Sequence, residues 1–344
     1  MNHQHRGPVV SRRTVLRGAG AVAAFGAASV VGLRLRRATP PEPWDHAVFA
    51  PPGPAQVAIL RAPSYDANLE GLLLDGLSVI GADVRGASVL LKPNMVEFDP
   101  GAAINTDPRL VAAAATALRR MGARRVVVGE APGHRRDTGY VVRASGLRDA
   151  LASVDAPFVD MNVAAASPVR TNSAYTRFGE IWLPQVVREA DIIISMPKMK
   201  THHWAAVTLS LKNCFGCLPG RVYGWPKNAL HWQGIEPSIL DIAGVVRPNY
   251  AIVDGITAME GNGPIDGTAK HVGLVIVGDD PVATDATTAT VMGFDPRRIP
   301  YIAEAGRFLG QADLDRIAQR GEDVVGAVSP FAPAPGFDGV AAAY

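Results

Sequence analysis

Cysteine, lysine and aromatic residues are scarce in this 344-residue chain. The two cysteines, Cys214 and Cys217, form a single C-F-G-C, and without a second C-x-x-C a four-thiolate zinc site is excluded. Charged residues make up only 19% against 48% hydrophobic, which excludes a disordered chain and leaves enough apolar mass for one large domain or two lobes. Long apolar runs are missing too: the best stretch, residues 19–33, is short and rich in Ala and Gly for a membrane span. Diffuse basic charge is also lacking. The net charge is +2, but residues 1–50 carry seven Arg, no Lys and two acids. The remainder is therefore slightly acidic, which excludes a broad nucleic-acid footprint on the body.

What is present begins with the leader. Arg12-Arg13 follows Ser11 and precedes a weakly apolar segment, a pattern that resembles a twin-arginine export signal. Residues 1–37 read as that leader and 38–54, rich in Pro, as an extended tether. An uncleaved leader acting as an anchor is the alternative to cleavage. Export places the protein outside the cytoplasm and makes the twin-arginine machinery a partner.

The body, residues 55–330, has a βαβ rhythm; residues 55–180 and 181–330 are candidate lobes, and 331–344 a C-terminal tail. Strands are predicted at 56–60, 88–91, 125–129, 191–195, 250–253 and 273–277, several without a polar residue. Helices are predicted at 69–80, 108–121, 183–190, 237–246, 281–292 and 300–309. Asp107-Pro108 has the form of an N-cap followed by Pro at the first helical position. Fully apolar strands between helices predict an α/β fold: a mainly parallel, Rossmann-like sheet covered on both faces. Residues 196–235 read as irregular.

Against 28 arginines there are only six lysines, and four of them lie between Lys198 and Lys227. A chain that otherwise selects Arg keeps Lys where a compact, tunable ammonium is wanted. Lys92-Pro93-Asn94 and Ser195-Met196-Pro197-Lys198-Met199-Lys200-Thr201-His202 each follow an apolar strand, where open α/β sheets place ligands. Alternation along an extended segment predicts Lys198, Lys200 and His202 on one face. Two ammoniums and an imidazole there make an anion cradle, with mutual repulsion lowering a Lys pKa for acid–base work. Lys212, Asn213 and His231 are added to the site, and Asp254 ends a third strand. Solvated surface lysines are the bland alternative. Trp204, Trp225 and Trp232 either wall a flat conjugated ligand or pack an irregular segment.

These segments occur with Asp254-Gly255, Met259-Glu260-Gly261-Asn262-Gly263-Pro264, Asp280-Pro281-Val282-Ala283-Thr284-Asp285 and Gly293-Phe294. In that order they resemble the domain of unknown function 362 family over about residues 55–320. The resemblance implies an unsettled activity. It also implies that some relatives carry a ferredoxin-like extension with iron–sulfur clusters; this sequence shows no such extension, and two cysteines cannot supply the four thiolates of a self-contained 4Fe–4S cluster. A single short segment, Gly133-His134-Arg135, resembles a strand–loop motif of nickel-pincer lactate racemases.

Further readings stay open. Glu260 falls in a predicted Gly/Pro-rich loop near a ligand. Asp254, Glu260, Asp279 and Asp285 suit a hard divalent cation such as Mg²⁺; otherwise Asp280 starts a helix with Asp285 in its first turns. Cys214 and Cys217 read as a disulfide or buried thiols first, a redox pair second, a metal site third. The expectation is an exported enzyme on an anionic small molecule or cofactor, with Lys198, Lys200, His202 and Asp254 catalytic and Lys92, Asn94, Lys212, Asn213, His231 and Glu260 binding the ligand. The alternatives are a redox or cofactor-carrying protein served by iron–sulfur partners, and a non-catalytic envelope binding protein.

Overall fold

In the computed structural model, residues 41–133 and 137–342 are described. The leader with Arg12 and Arg13, and His134 and Arg135, lie outside the described residues. Runs of Val, Ile and Leu form most of the strands, as β-branched side chains favour. These are β1 (Ala55–Arg61), β2 (Ser88–Pro93), β3 (Arg125–Glu130), β4 (Phe158–Asp160), β5 (Ala166–Arg170), β6 (Glu180–Pro184), β7 (Ile192–Met196), β8 (Lys198–His202), β9 (Ala206–Thr208), β10 (Tyr250–Glu260), β11 (Thr268–Gly278) and β12 (Ile317–Gly321). Ten of them make one sheet of order β12-β1-β11-β10-β7-β2-β3-β4, with β8 beside β10 and β9 beside β8. The block β10-β7-β2-β3-β4 is parallel throughout, and β11 runs antiparallel to both neighbours. The fold is therefore α/β with a mainly parallel sheet. One sheet takes strands from both residues 55–180 and 181–330, with β1 inserted between β12 and β11, within a unit spanning Trp44–Tyr344.

Alternation along each strand gives two cores. Val89 and Leu91, Ile194 and Met196, and Val275 and Val277 face one side. There the helices α1 (Leu69–Val79) and α2 (Pro108–Arg120) cover them. Leu90, Ile193, Val253 and Ile276 face the other side. There lie α3 (Ile235–Val246) and α4 (Pro281–Val291). Asp107 caps α2 by accepting from Arg109 N, with Pro108 in the first turn, and Asp280 caps α4 by accepting from Val282 N and Ala283 N.

Several expectations change. The strand at 250 continues to Glu260 as the inner arm of a β10–β11 hairpin, so Asp254 is mid-strand and Glu260 is not in a loop. Leu183 belongs to β6, where it pairs with Ser167, and only Gln185–Arg188 turns helical. The stretch read as a tether is seated on the body from Trp44, which stacks on Phe308 at 4.8 Å. The stretch read as a tail also packs: Phe331 and Val340 are buried and Ala341 bridges to Phe294. Apolar and aromatic side chains among the prolines and glycines explain both, since each has surface to bury. Residues 196–235 carry β8, β9 and short helical turns rather than irregular chain. Among the described residues no helix is long and apolar enough to cross a membrane.

Candidate functional site

Parallel strands β2, β3 and β7 end together, and the chain returns over those ends through residues 202–232. The cavity there, open on one side to solvent, holds about 500 Å³ and is lined by Asn94, Glu130, His202, His203, Thr208, Lys212, Asn213, Lys227 and His231, with Trp204, Phe215 and Trp232 among its aromatic walls.

Its floor is a locked polar network. Lys92, next to last in β2, sends its ammonium to Glu130 Oε2 at 2.5 Å, Pro93 O at 2.6 Å and Asn213 Oδ1 at 3.2 Å. Glu130 ends β3; its carboxylate also accepts from Met95 N at 3.0 Å and Ala131 N at 2.8 Å. Both side chains are 1% exposed. Burial pushes the Glu130 carboxyl up, against the pull of Lys92. Asn213 Nδ2 donates to Lys92 O at 2.9 Å and Ser195 Oγ at 3.0 Å. Asn94 Nδ2 donates to Asn213 Oδ1 at 3.2 Å.

Lys212 and Asn213 sit on one helical turn, Ser210–Asn213. Asp285, fully buried in α4, accepts from Ser210 N at 2.7 Å and Leu211 N at 3.0 Å and so caps that turn from another element. Burial lifts the Asp285 carboxyl to about 7, against those two donors. Lys212 lies 3.9 Å from the Phe215 ring centroid, and among the described residues it has no carboxylate partner. Burial, then the neighbouring Lys92 charge, brings its ammonium down to about 8. Lys227 donates to Ala131 O at 2.7 Å and Phe215 O at 2.8 Å, and burial brings it to about 7.

The three imidazoles differ in what they offer. A backbone N–H can only donate and a carbonyl can only accept. His202 Nδ1 accepts from Trp204 N at 3.0 Å, so its proton is on Nε2. His203 Nδ1 donates to Gly263 O at 2.8 Å, and His231 Nδ1 donates to Lys227 O at 3.1 Å. When neutral, these two present Nε2 lone pairs. Burial keeps His202 well below its ordinary range, and burial with the Lys212 charge lowers His231. One cavity thus holds an imidazole donor, imidazole acceptors and an ammonium.

Of the residues singled out in the sequence, Asn94, His202, Lys212, Asn213 and His231 meet at this cavity, with Lys92 directly behind. Lys198 and Lys200 do not. Lys198 pairs with Asp254 at 2.6 Å and also donates to Tyr65 Oη and Thr257 O. Tyr65 donates to Asp254 at 2.7 Å, and Asp107 N donates to the same carboxylate at 2.8 Å. Asp254 thereby ties β8, β10 and the start of α2 into one hydrogen-bonded knot. Lys200 donates to Ile104 O at 2.7 Å and Pro264 O at 3.3 Å, and burial pushes it far below the usual lysine range. Lys198, Lys200 and His202 form no common cradle, because each side chain finds its partner on a different segment.

Glu260 pairs with Lys270 at 3.0 Å and accepts from Ala332 N, away from the cavity. Asp279 accepts from Gln56 N. The four carboxylates proposed for a cation are thus each engaged elsewhere, and among the described residues no three His, Cys, Asp or Glu side chains converge as a metal site. Cys214 and Cys217 are free, buried thiols on one 3₁₀ turn. Burial pushes Cys217 up to about 11 and Cys214 well above its ordinary range, away from the thiolate that redox exchange or metal ligation requires. Trp204 and Trp232 border the cavity and are exposed, whereas Trp225 lies outside its lining. Sequence reading missed Glu130, Lys227, Thr208 and Asp285 as parts of the site. Glu130 had a signal, an acid ending an otherwise apolar strand.

The sequence model of the family described as "Domain of unknown function (DUF362)" matches residues 89–290. The thylakoid-associated protein sll1697 of Synechocystis sp. is 32% identical over 262 residues, covering 73% of this chain and 78% of that protein. Among solved structures, the lactate racemase apoprotein from Thermoanaerobacterium thermosaccharolyticum aligns with TM-score 0.40 and 12% identity, covering 66% of this chain and 55% of that one. A Thermotoga maritima protein from a structural-genomics programme aligns with TM-score 0.36 and 13% identity, covering 64% and 56%. The chain thus spans little more than half the length of these solved structures.

Proposed function

This chain belongs to the family described as Domain of unknown function (DUF362), and from that premise and the cavity's geometry we propose that it is an enzyme acting on an anionic small molecule by acid–base chemistry. The observation that carries the reading is Lys212: an ammonium without a carboxylate partner among the described residues, facing a cavity that also holds an imidazole donor and imidazole acceptors. Lys212 meets the anion. His231, or His203, takes a proton on Nε2, and His202 gives one from Nε2. Lys92, Glu130 and Asn213 hold the floor rigid, and Asp285 fixes the turn that presents Lys212. Binding an anion beside Lys212 raises its pKa again, so anion and proton are taken up together.

The test is a thermal-shift panel of small carboxylates and phosphates on the wild type and on Lys212→Met, from pH 6 to 9. Stabilisation by at least one anion is expected. It should fade as the pH rises through about 8 and be missing in Lys212→Met. The anion reading fails if no panel member stabilises the wild type, or if Lys212→Met responds equally. For the chemistry, NMR in D₂O should show C–H exchange of a bound ligand in the wild type and its loss in the double variant His203→Asn, His231→Asn; binding with no exchange favours a non-catalytic binding protein. The relative's description as thylakoid-associated supports a membrane-associated or extracytoplasmic location, and the Arg12-Arg13 pair supports delivery by twin-arginine export. Retention of an Arg12→Lys, Arg13→Lys variant in the cytoplasm would bear on that route.

A further inference from the structure

All six lysines lie among the described residues, and five of them have acceptors for their ammonium protons. Lys92, Lys198 and Lys270 meet carboxylates, while Lys200 and Lys227 meet backbone carbonyls. Lys212 differs. Among the described residues its Nζ has no hydrogen-bond acceptor, and it rests over the face of the Phe215 ring. Lys212 is nonetheless only half-buried and lines the open cavity, so a ligand can reach it. A desolvated amine with a second cation nearby, here Lys92, is the setting in which lysine attacks carbonyl carbon. The turn Ser210–Asn213, capped by Asp285, holds it in place. A proton carrier is at hand. The Phe215 ring that Lys212 covers lies 6.0 Å from the His231 imidazole, centroid to centroid. His231 commits Nδ1 to Lys227 O and so keeps Nε2 for a proton.

We infer that Lys212 is a covalent catalyst as well as an anion site: it condenses with the carbonyl of an anionic oxo compound, a 2-oxo acid being the simplest, to form an iminium ion. This rests on the anion reading given under Proposed function and narrows it to a substrate class. The ammonium meets the carboxylate and passes one proton to His231 Nε2. The freed amine attacks the adjacent carbonyl carbon; a C–N bond forms and the C=O π pair moves to oxygen. The oxygen takes the proton from His231 and a second from nitrogen and leaves as water, while the nitrogen lone pair closes C=N. One ammonium and one carbonyl thus become one iminium and one water, and the positive charge beside the carboxylate is kept. The iminium then draws electrons from the neighbouring C–H bond, whose proton His231 or His203 takes on Nε2.

Trapping with sodium cyanoborohydride on the full chain tests it, with pyruvate and 2-oxobutanoate as anionic carbonyls and propanal as an uncharged one, read by intact mass and peptide mapping. At least one 2-oxo acid should add once, raising the mass by that of the acid less one oxygen atom. The adduct should map to Lys212 and form at least about tenfold faster there than at any other lysine, since a lysine amine lowered in pKa is free near neutral pH where an ordinary one is protonated. Propanal should label Lys212 more slowly. Lys212→Arg keeps a cation and removes the amine, so it should take no adduct. A wild type that small anions stabilise but that gives no adduct overturns this inference and leaves the anion reading standing. An adduct spread evenly over the lysines, formed as fast at Lys212 in the urea-unfolded chain, or formed in equal yield by Lys212→Arg overturns it too. Propanal labelling as fast as the 2-oxo acids overturns the anionic substrate class. No adduct and no stabilisation by any anion overturns both readings.

Discussion

Lys92 and Glu130 lie 38 residues apart in sequence and 2.5 Å apart in space, both sealed from water. A buried pair adds little net stability, but breaking one partner strands the other charge. Lys92→Met is therefore expected to cost about 3–5 kcal/mol in urea denaturation, and Lys92→Met with Glu130→Leu to recover much of it. A cost as large in the double variant as in the single would show that the lysine acts otherwise. The same pair explains Gly216. A Cβ there would fall 2.0 Å from Glu130 Oε1 and 2.3 Å from Lys92 Nζ. Gly216→Ala should destabilise by about 1–3 kcal/mol and weaken anion binding, because the ammonium behind Lys212 must move. Lys92 was legible in the sequence as a charge ending an apolar strand. Its partner was not, because strand order decides which strand end lies beside β2, and the order is not written locally.

At the scale of elements, the turn Ser210–Asn213 depends on a carboxylate from α4. The strands and helices around it were legible, because Val, Ile and Leu runs alternate with capped helical stretches such as that begun by Asp107-Pro108. Its support was not legible. Asp285 reads from sequence as a first-turn helix acid, and only the packing of α4 against the turn gives it two backbone donors. With four residues, the turn cannot hold itself, since helix nucleation is costly. Asp285→Asn retains one acceptor and sets an NH₂ against the other backbone N–H. It should cost about 1–3 kcal/mol and lower anion affinity, while the distant Lys198–Asp254 knot stays intact. Tyr65→Phe provides the contrast. It removes a bond to Asp254 at 2.7 Å and is expected to lower stability without changing anion affinity, measured in the same titrations. An affinity loss in Tyr65→Phe would place that knot in the site after all. The β8 alternation misled because period two fixes which face a side chain leaves by, not which segment waits there.

For the whole molecule, burial of so many ionisable groups sets the shape of stability against pH. Lys212 and Lys227 hold protons in the fold only up to about 8 and about 7, against 10.5 ordinarily, and Lys200 too is pushed well below the ordinary value. Between those values the unfolded chain binds more protons than the native one, so stability rises with pH. The buried thiols and tyrosines act in the opposite sense. Cys214 and Cys217 keep their protons in the fold beyond the ordinary 9.0, and Tyr65, Tyr175, Tyr223 and Tyr301 beyond 10.0. Where the unfolded chain releases those protons first, the native state binds more and stability falls. Three lysines dominate from about pH 7 to 9, two thiols then reduce the slope, and the tyrosines reverse it near pH 10. The urea midpoint should therefore climb from neutral pH to a maximum near 10, well above the usual range. Lys212→Met should flatten the climb, and Cys217→Ala should steepen it above pH 9. Anion affinity must run the other way, fading through about pH 8 as Lys212 loses its charge. A midpoint that falls steadily from pH 7, or an affinity that grows with it, would mean that these lysines are charged and solvated in the folded protein, and the cavity would lose its claim to ammonium groups of lowered pKa.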